Sequence, residues 1–207
     1  MDSKAYFDRV AGAWDTMRQS FFSEIVREKA MEVCGVKVGA VAADIGAGTG
    51  FITEGLAAKG CRVIAVDQSE AMLHQMKLRL AEYQDIEYCP GEAEALPIED
   101  ECVDYVFANM FLHHVESPEK AIREMVRILK PGGKLALTDL DRHQFEFLRT
   151  EHHDRWMGFG RDEVKAWLTK AGLKNVSIDC VGQNCCAESC CSGDKAAISI
   201  FVAWGEK

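Results

Sequence analysis

The sequence predicts an α/β protein built on one doubly wound, mostly parallel sheet, and three observations predict it. From about residue 40 onward, short β-branched runs alternate with longer segments of helical period, which is the pattern of repeated βαβ units. A glycine-rich turn directly follows the first of these runs. A chain of 207 residues with 48% hydrophobic content is long enough for one well-buried core and somewhat short for two domains. We therefore predict a single domain over residues 1–207, with a helical segment at 1–36 and a core at 37–207.

Each element of the alternation follows from its own residues. Ser69 and Ser117 are candidate N-caps, and Pro118 suits the first helical position behind Ser117. The segment Lys130–Gly133 stops that helix, and Gly172 ends the following one. Strands are predicted at Val41–Ile45, Cys61–Val66, Asp85–Cys89, Cys102–Ala108 and Lys134–Leu140. Helices are predicted at about Gly50–Lys59, at Ser69–Tyr83, from Ser117 to Leu129 and at Arg161–Ala171.

The last part of the chain predicts two more strands and a loop. The strands are Val176–Val181 and Ala196–Trp204, and the polar segment Gly182–Lys195 is predicted to be a loop between them. This loop carries two vicinal cysteine pairs, formed by Cys185, Cys186, Cys190 and Cys191.

Composition excludes several classes of protein. The first residues carry charges and no apolar run, so we expect no signal or transit peptide, and no stretch is long enough for a membrane helix. We therefore expect a cytoplasmic protein whose nine cysteines are mostly free thiols. A formal net charge of −9 without a cluster of basic residues disfavours DNA and RNA as partners. Oligomeric state is left open.

The strongest local signal is the segment Val41–Gly50, where a strand runs into a glycine turn and a helix N-terminus; its part Asp44–Gly50 is called the glycine segment. Such a turn lets a ligand lie against the backbone, and the helix start favours an anionic group. A dinucleotide site requires G-x-G-x-x-G, whereas here Gly50 comes early and Phe51 fills the expected position. Asp67 ends the second strand, where a carboxylate can accept hydrogen bonds from both hydroxyls of a ribose.

In these and further blocks the chain resembles the class I S-adenosylmethionine (SAM) dependent methyltransferases, over roughly residues 5–205. The glycine segment looks like the family's first motif and Asp67 like its ribose-binding acid. The segment Gly91–Pro97 is similar to the part that holds adenine, although Glu92 stands where Asp is usual. The segment Asn109–Val115 resembles the block beneath the methionine part of SAM, and Leu129–Gly133 resembles the turn into the fifth strand.

The resemblance implies a Rossmann-like, seven-stranded sheet with an antiparallel seventh strand. It also implies SAM as cofactor, S-adenosylhomocysteine as product and a small-molecule acceptor. The N-terminal segment Tyr6–Asp15 is similar to the lid of the quinone-biosynthesis methyltransferases, in the methyltransferase type 11 group. The cofactor-binding residues so implied are Trp14, Asp44, Gly46, Gly48, Gly50, Asp67, Gln68, Met72, Glu92, Ala93 and Asn109.

Histidines supply the candidates for a catalytic base. Methyl transfer is an in-line displacement that requires alignment and exclusion of water, and a base is needed only if the acceptor carries a proton. Five histidines follow the fourth and fifth strands, on the loops that bracket a substrate in this fold. His143 and His114 are the first candidates, and for each the alternative is a surface or hydrogen-bonding role.

The cysteine loop suggests a soft acceptor or a metal. Because the sixth strand would be parallel to the first five, the loop is expected near the SAM site, where Cys185, Cys186, Cys190 and Cys191 could hold a soft metal or metalloid. A trivalent arsenic held by thiolates would present its lone pair without a base. A structural zinc suits such closely spaced ligands less well. The alternative is a flexible loop without a dedicated ligand.

Two main hypotheses and one weaker one result. The first is an enzyme that methylates a small acceptor, either a soft S, Se or As centre at the cysteine loop or a quinol-like molecule handled by the histidines. The second is a SAM-binding module that sequesters or senses metal without turnover. The third, a dinucleotide oxidoreductase, is disfavoured by the glycine spacing.

Overall fold

The computed structural model describes residues 3–189, 191 and 193–207 and contains a seven-stranded sheet flanked by helices. The strands are β1 (Val41–Ile45), β2 (Arg62–Asp67), β3 (Ile86–Pro90), β4 (Val103–Asn109), β5 (Leu129–Leu140), β6 (Lys174–Glu188) and β7 (Lys195–Glu206). The helices are α1 (Ser3–Val10), α2 (Trp14–Phe21), α3 (Glu24–Cys34), α4 (Phe51–Ala58), α5 (Glu70–Arg79), α6 (Pro118–Ile128), α7 (Glu146–Glu151) and α8 (Arg161–Lys170). A short 3-10 helix spans Leu112–His114.

The strand order is β3-β2-β1-β4-β5-β7-β6, and β7 is antiparallel to both of its neighbours. The other pairs are parallel. The predicted doubly wound sheet with an antiparallel seventh strand is thus confirmed. The order reverses between β1 and β4, and ligands of such sheets bind outside the carboxyl ends of the strands at this switch point.

The core lies on both faces of the sheet because successive strand residues point to opposite sides. On β4, Val106 packs into the cluster formed with α6 and α8, whereas Phe107 packs into the cluster formed with α3 and α4. Both side chains are almost completely buried. Near-continuous apolar strands of this kind are expected for a sheet covered on two faces.

The helix boundaries follow local chemistry. Ser69 caps α5 by accepting a hydrogen bond from the Met72 amide at 3.1 Å, as predicted. Ser117 occupies the N-cap position of α6 and Pro118 its first turn, but the Ser117 side chain makes no capping bond. The predicted start of β5 was too late, since the strand begins at Leu129 and a register shift opposite Val103–Tyr105 accommodates the early part.

The largest correction concerns the cysteine segment. Residues 182–188 were predicted to be loop, but they extend β6, which pairs with β7 through Cys185↔Ile198 and Cys186↔Ala197. A register shift between Cys180 and Asn184 absorbs Gly182, whose φ is +84°. The polar composition of this segment suits an edge strand because β6 is the last strand of the sheet.

The N-terminal segment is helical, as predicted, and several side-chain hydrogen bonds join it to the core, two of them at the loops after β1 and β2. The Ser69 hydroxyl donates to Asp8 at 2.6 Å, and the Thr49 hydroxyl donates to Asp15 at 2.7 Å. Both anchor points are loops at the carboxyl edge of the sheet, so α1 and α2 cover that edge. Within the described residues, no helix has the length and apolar character needed to cross a bilayer.

Candidate active site

A cavity of about 530 Å³ opens at the switch point between β1 and β4. Its floor is the glycine turn after β1, and its sides are the ends of β2, β3 and β4. Side chains of the N-terminal helical segment, including Phe7, Trp14 and Arg18, close it from above. The volume is in the range of pockets that enclose a cofactor-sized molecule.

The turn after β1 requires glycine at two positions. Gly46 and Gly48 have φ values of +67° and +55°, a region that other residues rarely adopt. A Cβ atom at Gly46 would also collide with the ring of Phe111. The Gly48 position lies under Trp14, since a Cβ there would be 3.7 Å from Trp14 Nε1. The turn therefore exposes bare backbone to the cavity.

Asp67 connects this turn to the end of β2. Its Oδ2 accepts a hydrogen bond from the Gly48 amide and its Oδ1 one from the Ser69 amide, both at 2.8 Å. Burial raises the pKa of this carboxyl, and the amide hydrogen bonds oppose the shift. An ionised carboxylate has about four lone-pair sites, so acceptor capacity remains for a ligand diol.

Asp44 also faces the cavity and is almost completely buried at the end of β1. Its Oδ2 accepts hydrogen bonds from the amide and the hydroxyl of Thr53, at 2.9 Å and 2.7 Å. Burial nevertheless raises the pKa of Asp44 to about 7. This carboxyl therefore changes charge near neutral pH.

Most residues that the resemblance implied for cofactor binding surround this one cavity. Those lining it are Trp14, Asp44, Gly46, Gly48, Asp67, Gln68, Met72, Glu92, Ala93 and Asn109. Gly50 has a different place: it is the N-cap of α4 with φ +92°, and a Cβ there would lie 2.6 Å from Met76 Cγ. Gly50 therefore permits close packing of the turn against α5 and does not line the cavity.

Sequence reasoning missed Arg18. Its side chain lies on α2, is only 6% exposed and lines the cavity. The guanidinium stacks on Phe51, with Cζ 4.3 Å from the ring centre. Asp15 Oδ1 lies 3.7 Å from its Nε and Glu24 Oε1 lies 3.9 Å from its Nη1, so both acids form ion pairs with it, but Nε has no hydrogen-bond partner. A buried cation with an unused donor beside a ligand cavity is suited to a carboxylate. The signal in the sequence that could have identified Arg18 is its position four residues after Trp14, which places both residues on the same face of a helix.

A second, smaller cavity of about 50 Å³ adjoins the first. The two share Phe7, Trp14, Phe22, Met110 and His114 as lining residues. Met110 has φ +49°, an uncommon conformation for a non-glycine residue that is often found at functional sites. The rest of the smaller cavity combines apolar side chains with a few polar ones, namely His113, His152, Asp154 and Cys185.

Beside this cavity a buried network of acids and histidines is centred on His113. Its Nδ1 lies 2.7 Å from Asp139 Oδ1, and its Nε2 lies 3.9 Å from Asp154 Oδ1. Burial by itself would lower the pKa of His113, but the two carboxylates raise it to about 9. Burial raises the pKa of Asp154 to about 6, against the opposing effect of His113. The two carboxylates therefore favour the protonated form of His113.

The structure separates the two histidines that the sequence favoured as base. His114 lines both cavities, and burial, followed by the charge of His113, moves its pKa well below the usual value. Its Nδ1 is buried without a hydrogen-bond partner. His143 lines neither cavity, and its Nδ1 accepts from the Phe145 amide at 3.3 Å. The position of His143 thus does not favour contact with a ligand in these cavities.

The cysteines predicted as a metal site do not lie together where the structure describes them. Cys185 is buried against the smaller cavity, and Cys186 is exposed because adjacent strand residues face opposite sides. Burial raises the pKa of the Cys185 thiol to about 12. Cys191 is exposed, and Cys190 lies outside the described residues. Among described residues, no cysteine belongs to a group of three potential ligands within reach of one ion.

Fold and cavity together define a class of protein. Residues 43–137 match the family model described as a methyltransferase domain. This match and the relatives below confirm the resemblance to the class I SAM-dependent methyltransferases that the motifs indicated.

Particular relatives share this core. The chain is 34% identical over 156 residues to a demethylmenaquinone methyltransferase of Renibacterium salmoninarum, covering 74% of this chain and 65% of the relative. A demethylmenaquinone methyltransferase of Clavibacter sepedonicus is 34% identical over 140 residues, covering 65% of this chain and 56% of the relative. The chain thus spans less than two thirds of the length of these curated relatives.

A solved structure shows the same fold. Phosphoethanolamine N-methyltransferase 2 of Haemonchus contortus, in complex with phosphomonomethylethanolamine and S-adenosylhomocysteine, superposes with a TM-score of 0.79. The match covers 100% of this chain and 60% of that chain at 17% identity. At this identity the likeness establishes the fold alone.

Proposed function

We propose that the protein binds SAM in the larger cavity and transfers its methyl group to a small acceptor whose reacting end enters the smaller one. The observation that carries this proposal is the convergence of ten motif residues on one cavity that shares a wall with a second. When bound, the cofactor supplies a sulfonium methyl group that a nucleophile's lone pair can displace. The protein's task is then to bind, align and exclude water.

The residues around the larger cavity fit the parts of SAM. The Asp67 carboxylate accepts from the ribose hydroxyls, and the segment that contains Glu92 and Ala93 borders the adenine. Arg18 pairs with the carboxylate of the methionine portion, which satisfies its unused Nε donor. The backbone of Gly46 and Gly48 allows the cofactor to approach the turn closely.

The smaller cavity suits an acceptor that is largely apolar with one polar end. Aromatic side chains from the N-terminal segment, including Phe7, Trp14 and Phe21, form one part of its lining. Histidine and acid side chains form another. For an acceptor that carries a proton, His114 is the proposed base because its buried Nδ1 has no other partner. The printed names of the relatives make a quinol the first acceptor to test.

A narrower form of the proposal is a soft acceptor, such as a thiol, selenol or arsenite centre. Cys185 supports it, because this residue lines the smaller cavity. One buried thiol can bind an arsenic centre but cannot replace the predicted four-thiolate site. Sequestration without turnover has no comparable support from the described cysteines.

The first experiment measures ligand-dependent thermal stability. SAM and S-adenosylhomocysteine at ~100 times their dissociation constants should each stabilise the protein by about 2.7 kcal/mol, and NADH should not. In Asp67→Asn this increment should shrink, because the side chain loses its charge and one of the two oxygens that accept hydrogen bonds from backbone amides. The exposed Asp85→Asn variant is the control and should keep it. Stabilisation by NADH alone, or by none of the three, contradicts the proposal.

The second experiment identifies the acceptor class by release of S-adenosylhomocysteine. A reduced quinone, a small thiol and arsenite are compared on the wild-type protein. Turnover with arsenite that is lost in Cys185→Ser and kept in Cys186→Ser would support the narrower form. Turnover with the quinol that survives Cys185→Ser would exclude it. Binding of SAM without turnover on any acceptor class would contradict the enzymatic proposal.

A further inference from the structure

Two histidines and an acid meet at the wall of the smaller cavity. One ring nitrogen each from His113 and His114 and a carboxylate oxygen of Asp154 lie within 4.8 Å of one another. The side chains of His113 and Asp154 are about 95% buried. Such a cluster is costly to bury unless its charges are paired or a cation binds.

Asp139 fixes His113 in the orientation of a metal ligand. An ionised carboxylate only accepts hydrogen bonds, so the His113 Nδ1–H donates to Asp139 Oδ1 at 2.7 Å. Asp139 is itself held by the amide of Leu140, which donates to the same oxygen at 2.7 Å. This leaves Nε2 of His113 facing Asp154. A carboxylate behind a histidine is the arrangement that usually supports a ligating imidazole.

The spacing of the donors suits an ion better than a hydrogen bond. His113 Nε2 lies 3.9 Å from Asp154 Oδ1, which is too long for a hydrogen bond. Ligands that are about 2.1 Å from a tetrahedral zinc ion are about 3.4 Å apart, so the three donors, which lie within 4.8 Å of one another, have to move closer together when the ion binds. His114 adds a buried Nδ1 that has no partner in the protein.

The surroundings supply an open position. Cys185 lines the same cavity but does not belong to the group of three donors, so it is not counted as a ligand. The cavity of about 50 Å³ has room for water or for one polar atom of an acceptor. His114 also borders the larger cavity, so this open position would face the proposed methyl donor.

We propose that His113, His114 and Asp154 bind one divalent transition-metal ion of borderline softness, with zinc as the best match. Two imidazoles and a carboxylate are a common catalytic zinc set, whereas magnesium prefers oxygen ligands. Binding replaces the proton on His113 Nε2 by the ion and involves no oxidation or reduction. In the ion-bound protein His114 is a ligand, and a coordinated acceptor is made acidic by the ion itself.

The test is metal binding to the reduced full-length protein after treatment with a chelator. Zinc is titrated by calorimetry and cobalt by absorption spectroscopy, with magnesium as the control ion and no adenosyl compound present. We expect one zinc per chain, no comparable magnesium binding, and a tetrahedral cobalt spectrum without a thiolate band that is the same in wild type and Cys185→Ser. Because the assay involves no methyl transfer, its outcome is independent of the proposed function.

Four variants show which residues bind the ion. Asp154→Asn and His113→Gln should weaken zinc binding by at least tenfold, and Asp139→Asn by about 10–100-fold through loss of support for His113. A triple variant, Cys186→Ser/Cys190→Ser/Cys191→Ser, removes the segment's other thiols and should retain the site. The zinc-dependent rise in melting temperature is compared for each variant, so a general loss of stability is not mistaken for loss of binding.

Two results would overturn the proposal. One is the absence of stoichiometric zinc binding by the wild-type protein. The other is zinc binding that persists in both Asp154→Asn and His113→Gln but disappears in the triple cysteine variant, which would assign the ion to the cysteine segment instead.

Discussion

Arg18 illustrates how a single side chain can be decisive without belonging to a recognised motif. It is buried beside the larger cavity with an unused Nε donor. A charge-assisted hydrogen bond to a carboxylate contributes about 1.5–3 kcal/mol. We therefore expect Arg18→Met to weaken SAM and S-adenosylhomocysteine equally, by roughly 10- to 100-fold, since both carry the same carboxylate. Calorimetric titration measures this, and Arg9→Met is the control because Arg9 is exposed on the neighbouring helix.

A selective loss of SAM binding in Arg18→Met would contradict this assignment, since the two ligands differ only at sulfur.

Asp44 predicts a dependence of stability on pH. Its folded-state pKa of about 7 exceeds the ordinary value, so the native protein holds this proton more tightly than the unfolded chain does. Its contribution to stability is therefore complete at pH below the ordinary value and is lost as pH rises toward 7, by at most about 1.4 kcal/mol per pH unit. Above pH 7 the loss is complete and the curve flattens.

The check is denaturant unfolding of wild type and Asp44→Asn between pH 4 and 8. The Asn side chain can still accept from Thr53, so the difference between the two curves should change with pH in the stated direction. A constant difference would show that Asp44 does not titrate in this range.

At the scale of elements, glycine has two roles in the turn between β1 and α4. Gly46 and Gly48 expose backbone to the cavity, whereas Gly50 permits close packing of the turn against α5. Gly50→Ala should destabilise the protein by more than 1 kcal/mol, because φ is +92° and Met76 occupies the space of the new Cβ. Gly12→Ala is the control: φ is not positive there and no atom lies within 4 Å of a Cβ. Thermal unfolding measures both. Equal stabilities of the Gly50→Ala and Gly12→Ala variants would show that the turn can accommodate a Cβ atom at residue 50.

These elements also show what the sequence could and could not predict. The glycine turn and Asp67 were predictable because their chemistry is local and their spacing is fixed by one strand, one turn and one helix. The extension of β6 was not, because Cys185 and Cys186 become strand residues only through pairing with Ile198 and Ala197, a non-local contact. The cluster around His113 was missed for the same reason, since Asp139 and Asp154 reach it from separate segments.

At the scale of the whole molecule, stability should be uneven. Strand β4 is covered on both faces, whereas α1 and α2 are held largely at the edge, partly through the Asp8–Ser69 and Asp15–Thr49 hydrogen bonds. We expect amide hydrogen exchange to be slowest in the central strands and much faster in α1 and α2. Adding S-adenosylhomocysteine should slow exchange in α1 and α2 most, because Trp14 and Arg18 cover the cavity.

Uniform protection across α1, α2 and β4, unchanged by the ligand, would contradict a covering role for the N-terminal segment.

The buried carboxyl of Asp44 has a further consequence for how the protein would distinguish the proposed cofactor from its product. SAM carries one more positive charge than S-adenosylhomocysteine, and Asp44 lines the cavity that would receive it. A sulfonium favours the ionised form of Asp44, so binding SAM near pH 7 should expel a proton, whereas the neutral thioether should expel fewer. Calorimetry in buffers of different ionisation enthalpy counts these protons, and Asp44→Asn should abolish the difference. The preference for SAM over S-adenosylhomocysteine would then increase with pH, because protons on Asp44 compete with the binding of the methyl donor.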